Sequence, residues 1–182
     1  IKAVHSDNAP EYGVIWKHCE DNGISVYKTV AGESEQNGCA ERVIGILTGR
    51  ARTMLLAAGA SQGFWSESFA YARHIHNNTA HARIGWRTPA SVLFGEPTRV
   101  DMLRVFGCAA YLKVEGVSKM GAQATPCVFV GMDEEKKGWK VWDMQNHKFT
   151  VGWNVSFLET KFPWKDGKNG GGVLDDVDFS PP

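Results

Sequence analysis

The sequence predicts an α/β segment, followed by a group of helices and then a small all-β barrel. Short strands and a helix alternate near the start, helical periodicity dominates the middle, and several short β-rich runs follow Pro97. We therefore divide the chain into residues 1–60, a helical extension over 61–100 and a barrel over 101–160. Residues 161–182 carry Gly170-Gly171-Gly172 and several aspartates, and we expect this tail to be disordered.

The first segment opens with a strand, a helix and a second strand. Ile1–His5 predicts a short strand that stops at the turn-forming cluster Ser6-Asp7-Asn8. Apolar side chains recur at helical spacing from Tyr12 to Cys19, which predicts a helix that Asn22-Gly23 ends. Apolar and polar side chains alternate over Ile24–Val30, which predicts the second strand. Because the chain starts within a strand, we expect it to be a fragment of a longer protein.

A long helix is predicted over Cys39–Ala58, after a polar loop at residues 32–38. Its apolar side chains form one stripe, composed of Val43, Ile46, Leu47, Ala51, Met54, Leu55 and Ala58. The side chains expected on the opposite face are Glu41, Gly45, Thr48 and Arg52.

Two further helices and five strands complete the prediction. The second helix covers Phe64–Asn77 and should be anchored by Trp65, Phe69, Ala72 and His76. Thr88 should cap a shorter helix that begins at Pro89 and closes near Gly95. The expected strands are Val105–Val114, Cys127–Val130, Trp139–Trp142, His147–Val151 and Trp153–Phe157. We expect Trp139, Trp142 and Trp153 in the barrel core, with base stacking as the alternative.

The net charge, the apolar runs and the cysteines exclude few classes of protein. The 20 basic and 20 acidic residues cancel, so DNA binding would depend on the local placement of charge. No run approaches the roughly 18 apolar residues that a membrane span requires, and we expect no membrane partner. The four cysteines form no CxxC pair, which predicts buried free thiols in a reducing compartment.

Two carboxylates occupy positions that suit chemistry. Asp7 ends a strand, where a side chain projects toward the usual ligand crevice of an α/β fold. Glu41 lies in the first turn of the long helix, on the face away from the apolar stripe. The alternative for Glu41 is structural, because a helix N-terminus favours negative charge.

Several motifs resemble the integrases of copia-type retrotransposons. Residues 5–12, HSDNAPEY, are similar to their SDNGGEY segment, and residues 35–42, EQNGCAER, are similar to their PQQNGVAER segment. Further matches follow in the same order at residues 51–55, 64–67, 88–89 and 103–108. Residues 127–131 and 137–143 resemble the SH3-like domain that follows the catalytic core in these polyproteins.

The resemblance implies an RNase H-like fold, only partly present in this chain, and a polynucleotidyl transferase that integrates DNA. Its metal site would use two aspartates and a glutamate, with Asp7 and Glu41 as two of the three ligands to Mg²⁺ (or Mn²⁺). Mg²⁺ prefers hard anionic oxygens, and two such ions would activate the attacking oxygen and stabilise the leaving one. Water would attack during 3′-end processing and a DNA 3′-hydroxyl during strand transfer. The first aspartate would lie upstream, so we expect these residues alone to be inactive.

The same resemblance suggests supporting residues and partners. The candidate DNA-binding residues are Gln36, Asn37, Gly38, Arg42 and Arg52, and Asn8 would support the metal site. An ordinary surface loop, ordinary surface arginines and a strand-ending asparagine are the alternatives. The partners would be element ends and target DNA, bound by a homo-multimer, and the location would be intracellular, in cytoplasmic particles and the nucleus.

Some features depart from the family pattern. Val43-Ile44-Gly45 stands where the family has a polar run, and Ala9-Pro10 replaces a glycine pair. These departures favour a second hypothesis, in which a decayed or repurposed remnant binds DNA or protein without catalysis. A different nuclease of the same fold is a third hypothesis. His74, His76 and His81 suggest zinc only weakly, because residues two apart on a helix point to different faces.

Overall fold

The computed structural model describes residues 1–6, 8–28, 38–95, 97–98, 100–114 and 123–166, except for the side chain of Cys39. The chain forms two compact units, Ile1–Ile46 and Leu47–Pro182. None of the helices among the described residues is long and apolar enough to cross a membrane.

The first unit is built on a two-stranded parallel sheet. Strand β1 is Ala3–Ser6 and strand β2 is Ser25–Lys28, with Ala3 opposite Ser25 and Ser6 opposite Lys28. Parallel strands need a crossover, which helix α1 at Gly13–Asp21 provides after a 3-10 turn at Pro10–Tyr12. The predicted order of strand, helix and strand is confirmed.

Helix α2, at Gly38–Ala58, confirms the long predicted helix but begins one residue earlier than expected. Gly38 therefore lies in the helix and not in the polar loop, while residues 32–37 of that loop lie outside the described residues. The apolar stripe is buried at Leu47, Ala51, Leu55 and Ala58. Ile46 is 40% exposed, against the prediction, because it lies about 100° around the helix from Leu47.

Helix α3, at Trp65–Asn77, follows a 3-10 turn and buries a different face from the one predicted. Ser68, Tyr71 and Ala72 are its buried residues, whereas Trp65, the expected anchor, is 38% exposed. Ser68 tolerates burial because its hydroxyl donates to the Trp65 carbonyl at 2.9 Å. Of the predicted anchors, Ala72 is correct, and Phe69 and His76 are only half-buried.

Helix α4, at Pro89–Phe94, is confirmed together with both of its predicted ends. The Thr88 hydroxyl accepts a hydrogen bond from the Ser91 backbone N–H at 3.1 Å. Gly95 ends the helix in the left-handed conformation with φ of 76°. Local capping chemistry alone placed this short element correctly.

Five antiparallel strands form the barrel in the order β6-β5-β4-β3-β7. They are β3 (Ala109–Lys113), β4 (Ala124–Asp133), β5 (Gly138–Asp143), β6 (Lys148–Gly152) and β7 (Val155–Leu158). In a flat sheet the edge strands β6 and β7 would lie about 19 Å apart. The connection from Gly152 to Val155 reaches at most about 11 Å. The sheet must therefore curl on itself, as a barrel does.

The core of the second unit joins helix and sheet residues. Its buried members are Leu55, Ala58, Tyr71, Phe106, Cys108, Ala110, Cys127, Phe129, Val130 and Val141. Trp139 and Trp142 pack against this cluster as predicted, but Trp153 is 61% exposed in the turn between β6 and β7. Cys19, Cys108 and Cys127 are buried free thiols, as expected.

The start of the expected disordered tail is ordered. Pro163–Asp166 forms a short helix, α5, in which Pro163 is buried. Trp164 packs against the core cluster, with its ring centroid 4.4 Å from that of Phe64. Disorder was predicted from the glycines and aspartates further downstream. Phe162 and Trp164 instead pack their apolar side chains against the core, which orders the start of the tail. Residues 167–182 lie outside the described residues.

Candidate functional site

The carboxyl ends of β1 and β2 meet at one edge of the parallel sheet. Ser6 lies opposite Lys28 there. The indole N–H of Trp16 donates to the Ser6 hydroxyl at 2.8 Å, and the Lys28 ammonium lies 3.8 Å from the centroid of the Trp16 ring. Asp7 directly follows Ser6 in the sequence but lies outside the described residues. Trp16 thus holds Ser6 by a hydrogen bond and Lys28 by a cation–π contact.

Lys28 is the residue at this edge that the sequence analysis missed. A signal for it existed, because parallel strands joined by one crossover bring their carboxyl ends to the same edge. The Lys28 ammonium places a positive charge at the carboxyl end of β2, opposite Ser6, which Asp7 follows in the sequence. One strand position earlier, the His5 and Tyr27 rings stack with centroids 4.8 Å apart.

Glu41 lies in the first turn of α2 and is exposed, as is its neighbour Arg42. Among the described residues, neither side chain has a hydrogen-bond or ion-pair partner. Both are therefore accessible to an external ligand. Asn8 is exposed in an irregular segment, while Gln36 and Asn37 lie outside the described residues.

A metal site is not assembled within the described residues, where no group of three or more His, Cys, Asp and Glu side chains comes together. Asp7, the ligand paired with Glu41 by the resemblance, is not among those residues. Both remain predicted metal ligands, and Asn8, Gln36, Asn37, Gly38, Arg42 and Arg52 remain predicted supporting or DNA-binding residues. Carboxylates are nonetheless the donor type that Mg²⁺ takes in proteins.

Arg52 is exposed on α2 and lines a cavity of about 370 Å³. The other lining residues are Leu55, Leu56, Ala60, Gln62 and Trp65. Leu56 is 73% exposed, so the cavity combines an apolar floor with one cationic rim residue. The exposure of Trp65 also explains why it does not anchor α3.

A second cavity, of about 380 Å³, lies between α3 and one end of the barrel. Its lining consists of His74, Asn78, Met102, Met132, Asp133, Glu134, Lys137 and Trp153. Burial holds the pKa of His74 below its ordinary value, although the nearby Glu134 carboxylate acts in the opposite direction. Glu134 is itself paired with Arg73 at 2.8 Å. This cavity could not be predicted from the sequence, because its walls come from distant parts of the chain.

The three histidines that suggested zinc are arranged as follows. His74 lines the second cavity, whereas the ring of His76 lies 4.5 Å from that of His81 by centroids. The Arg50 guanidinium lies 3.4 Å from Nδ1 of His76. A cation in this position competes with a metal for the imidazole nitrogen.

Comparison with known proteins identifies the region of a polyprotein that this chain resembles. Residues 108–170 match the family model of the retroviral polymerase SH3-like domain. The chain is 30% identical over 165 residues to the retrovirus-related Pol polyprotein from transposon TNT 1-94 of Nicotiana tabacum, covering 88% of this chain and 12% of that protein. It is 28% identical over 168 residues to the corresponding polyprotein from transposon RE1 of Arabidopsis thaliana, covering 91% and 12%.

A third relative extends the pattern. The Pol polyprotein from transposon RE2 of Arabidopsis thaliana is 26% identical over 166 residues, with 90% of this chain and 11% of that protein covered. The chain therefore spans only about an eighth of the length of these relatives. The copia-type resemblance predicted from the motifs is confirmed: the chain is similar over most of its length to a segment of retrotransposon Pol polyproteins, and residues 108–170 carry the retroviral polymerase SH3-like domain.

Proposed function

We propose that this chain is part of the integrase region of a retrotransposon polyprotein, in which Asp7 and Glu41 bind the catalytic metal. The supporting observation is where the two motifs lie. The motif that contains Asp7 spans the carboxyl end of β1, and the motif that contains Glu41 includes the first turn of α2. Strand ends of this kind are the usual ligand edge of an α/β sheet.

The residues themselves would act by binding and positioning. Glu41 is exposed and unpaired among the described residues, so its carboxylate can take a cation without breaking a native contact. When bound, Mg²⁺ would polarise the phosphoryl oxygens and stabilise the charge that develops during transfer. Arg42 and Lys28 would contribute positive charge for contacts with the DNA phosphates.

Exposed apolar side chains in the first unit also support the proposal. Val14 is 82% exposed and Ile15 is 50% exposed. Two-stranded sheets are marginally stable alone. Further strands of an RNase H-like layer in the parent polyprotein would cover such side chains.

The decisive experiment compares carboxylate variants in the intact parent protein. Glu41→Gln and Asp7→Asn keep the shape of each side chain but remove the negative charge that holds Mg²⁺. We expect strand-transfer products, measured on a gel with labelled element ends, to fall to background for both variants. Glu135→Gln, an exposed glutamate in the β4–β5 turn, is the matched control and should keep full activity.

The decayed or repurposed remnant is the competing function, and one observation favours it. Ile44 is exposed in the second turn of α2, close after Glu41 and Arg42, where a polar side chain would meet phosphates better. For such a remnant, Glu41→Gln would leave the measured activity or binding unchanged. If the labelled DNA were cut but never joined to other DNA, the protein would instead be a nuclease.

A further inference from the structure

Residues His81–Arg87 form a closed loop, named here the tryptophan loop. The His81 backbone N–H donates to the Arg87 carbonyl at 3.0 Å, and the Trp86 N–H donates to the His81 carbonyl at 3.0 Å. A single turn of 3-10 helix, Ala82–Ile84, fills the interior of the loop. The His81 ring also lies within 3.0 Å of the His76 carbonyl through Nε2. These bonds fix the loop before any partner arrives.

The loop presents a tryptophan in an unfavourable backbone conformation. Trp86 has φ of 58°, a value that is a clear outlier for a bulky side chain. Its side chain is nevertheless 74% exposed, so burial of the ring does not compensate for the strain. Strain of this kind at an exposed side chain is a sign of function rather than of packing.

The charged residues closest to Trp86 in the sequence are both arginines. No aspartate or glutamate occurs from Ser68 to Gly95. Arg83 and Arg87 flank Trp86 and are exposed. Within the described part of the chain, neither arginine has a carboxylate partner. Arg87 donates through Nε to the Ile84 carbonyl at 3.2 Å, which orients its guanidinium and leaves the other donors available.

A third arginine extends this positive surface. The ring of His76 lies 4.5 Å from that of His81, and the Arg50 guanidinium lies 3.4 Å from the His76 ring nitrogen. The pKa of His76 is held below its ordinary value, first by burial and then by His81 and Arg50. Uncompensated positive charge of this kind favours an anionic partner.

We propose that the tryptophan loop binds single-stranded nucleic acid, with an unpaired base stacked on Trp86 and the flanking phosphates contacting Arg83 and Arg87. Aromatic rings exposed among cations are the usual platform for unpaired bases. A second copy of this chain is a poorer partner, because the exposed arginines of two such loops would repel each other. The proposed binding uses neither Asp7 nor Glu41 and needs no metal.

The test uses this chain and a labelled oligothymidylate in EDTA, with the dissociation constant measured by fluorescence anisotropy. Trp86→Gly removes the ring but suits the positive φ, so the loop should keep its shape and the melting temperature should not fall. We expect affinity to fall on the order of tenfold or more. Trp86→Tyr should restore most of it. Trp153→Ala, which removes another exposed tryptophan, should bind like the unmodified chain.

A charge test examines the arginines separately. The double variant Arg83→Gln and Arg87→Gln should lower the salt dependence of binding, with the log–log slope falling by about 1.4. Replacing the exposed Lys113 and Lys161 by glutamine is the control and should leave that slope unchanged. Because EDTA removes any metal and the variants leave Asp7, Glu41, Arg42 and Lys28 unchanged, these results are independent of the proposed metal site.

Three results would overturn the proposal. The first is unchanged affinity in Trp86→Gly. The second is equal affinity for a blunt duplex and a single strand, because a duplex hides its base faces. The third is loss of self-association, seen by light scattering, without loss of DNA affinity in Trp86→Gly, which would mark the loop as a protein interface.

Discussion

The two units of this chain differ in how much they bury. Among the described residues of Ile1–Ile46, Cys19 is the single buried side chain. In Leu47–Pro182 a continuous cluster is buried, with Tyr71, Val128 and Phe129 almost inaccessible. The second unit thus carries the stability of the fold, whereas the first contains the predicted metal ligands and buries few side chains.

The physical reason for this difference is the number of strands. Two parallel strands offer little surface on which to bury side chains, while five antiparallel strands with two packed helices enclose a core. Substitutions in the second unit should therefore affect global unfolding, and substitutions in the first should act locally.

Gly107→Ala should produce the largest loss of stability. Gly107 has φ of 79°, and a Cβ there would lie 2.2 Å from the Ala58 Cβ. Steric overlap and backbone strain together should lower the free energy of unfolding by roughly 3 kcal/mol or more, measured by urea denaturation. Gly49→Ala on α2, where an added Cβ meets nothing within 4 Å, is the control and should be neutral or slightly stabilising. Equal effects of the two changes would contradict this account of the core.

Alkaline pH should destabilise the second unit by the next largest amount. Burial raises the pKa of Tyr71 to about 12, that of Cys108 to about 12 and that of Cys127 to about 11. In the unfolded chain these groups lose their protons from about pH 9 or 10 upward, so above that pH the folded state binds more protons. The free energy of unfolding should therefore fall as the pH rises to about 12, by up to about 1.4 kcal/mol per pH unit for each group.

A variant sharpens the pH measurement. Cys127→Ala removes one of the three groups, and its curve of unfolding free energy against pH should be less steep between about pH 9 and 11. A curve as steep as that of the unmodified chain would show that other groups control alkaline unfolding.

Tyr71→Phe should have a smaller effect that isolates one hydroxyl. The Tyr71 hydroxyl donates to the Arg104 carbonyl at 2.6 Å and accepts from the Arg104 N–H at 2.9 Å. Removing it leaves two backbone groups unsatisfied beside the core, which should cost about 1–3 kcal/mol in thermal or urea unfolding. Tyr111→Phe on β3 offers a comparison at another buried tyrosine. A change below about 0.5 kcal/mol in Tyr71→Phe would mean that water replaces the hydroxyl.

Local signals in the sequence predicted most of this fold. Thr88, Pro89 and Gly95 define α4 through capping and turn chemistry, and these interactions depend only on near neighbours. The faces that pack were harder to predict. Periodicity predicted Trp65 as an anchor of α3 and overlooked Ser68, because a large apolar side chain can be recognised in the sequence. The hydrogen bond that allows the Ser68 hydroxyl to be buried can be recognised only in the structure.

The candidate site was predictable only through the family motifs. A strand-ending aspartate and a glutamate in a first helical turn are common for structural reasons. Lys28, Trp16 and the tryptophan loop were not singled out, since strand register and the hydrogen bonds that fix Trp86 come from residues that pattern analysis treats separately.

The smallest expected effect tests the first unit directly. Trp16→Phe keeps an aromatic ring near Lys28 but removes the indole donor to Ser6, a bond of 2.8 Å between α1 and β1. We expect faster amide hydrogen exchange in residues 1–28, corresponding to about 1 kcal/mol or less, because the partners can bond to water instead. The global unfolding midpoint should stay unchanged, since the core of the second unit makes no use of this bond. A shift of that midpoint comparable to that of Tyr71→Phe would mean that the two units unfold together, and that Asp7 belongs to the stable part of the fold.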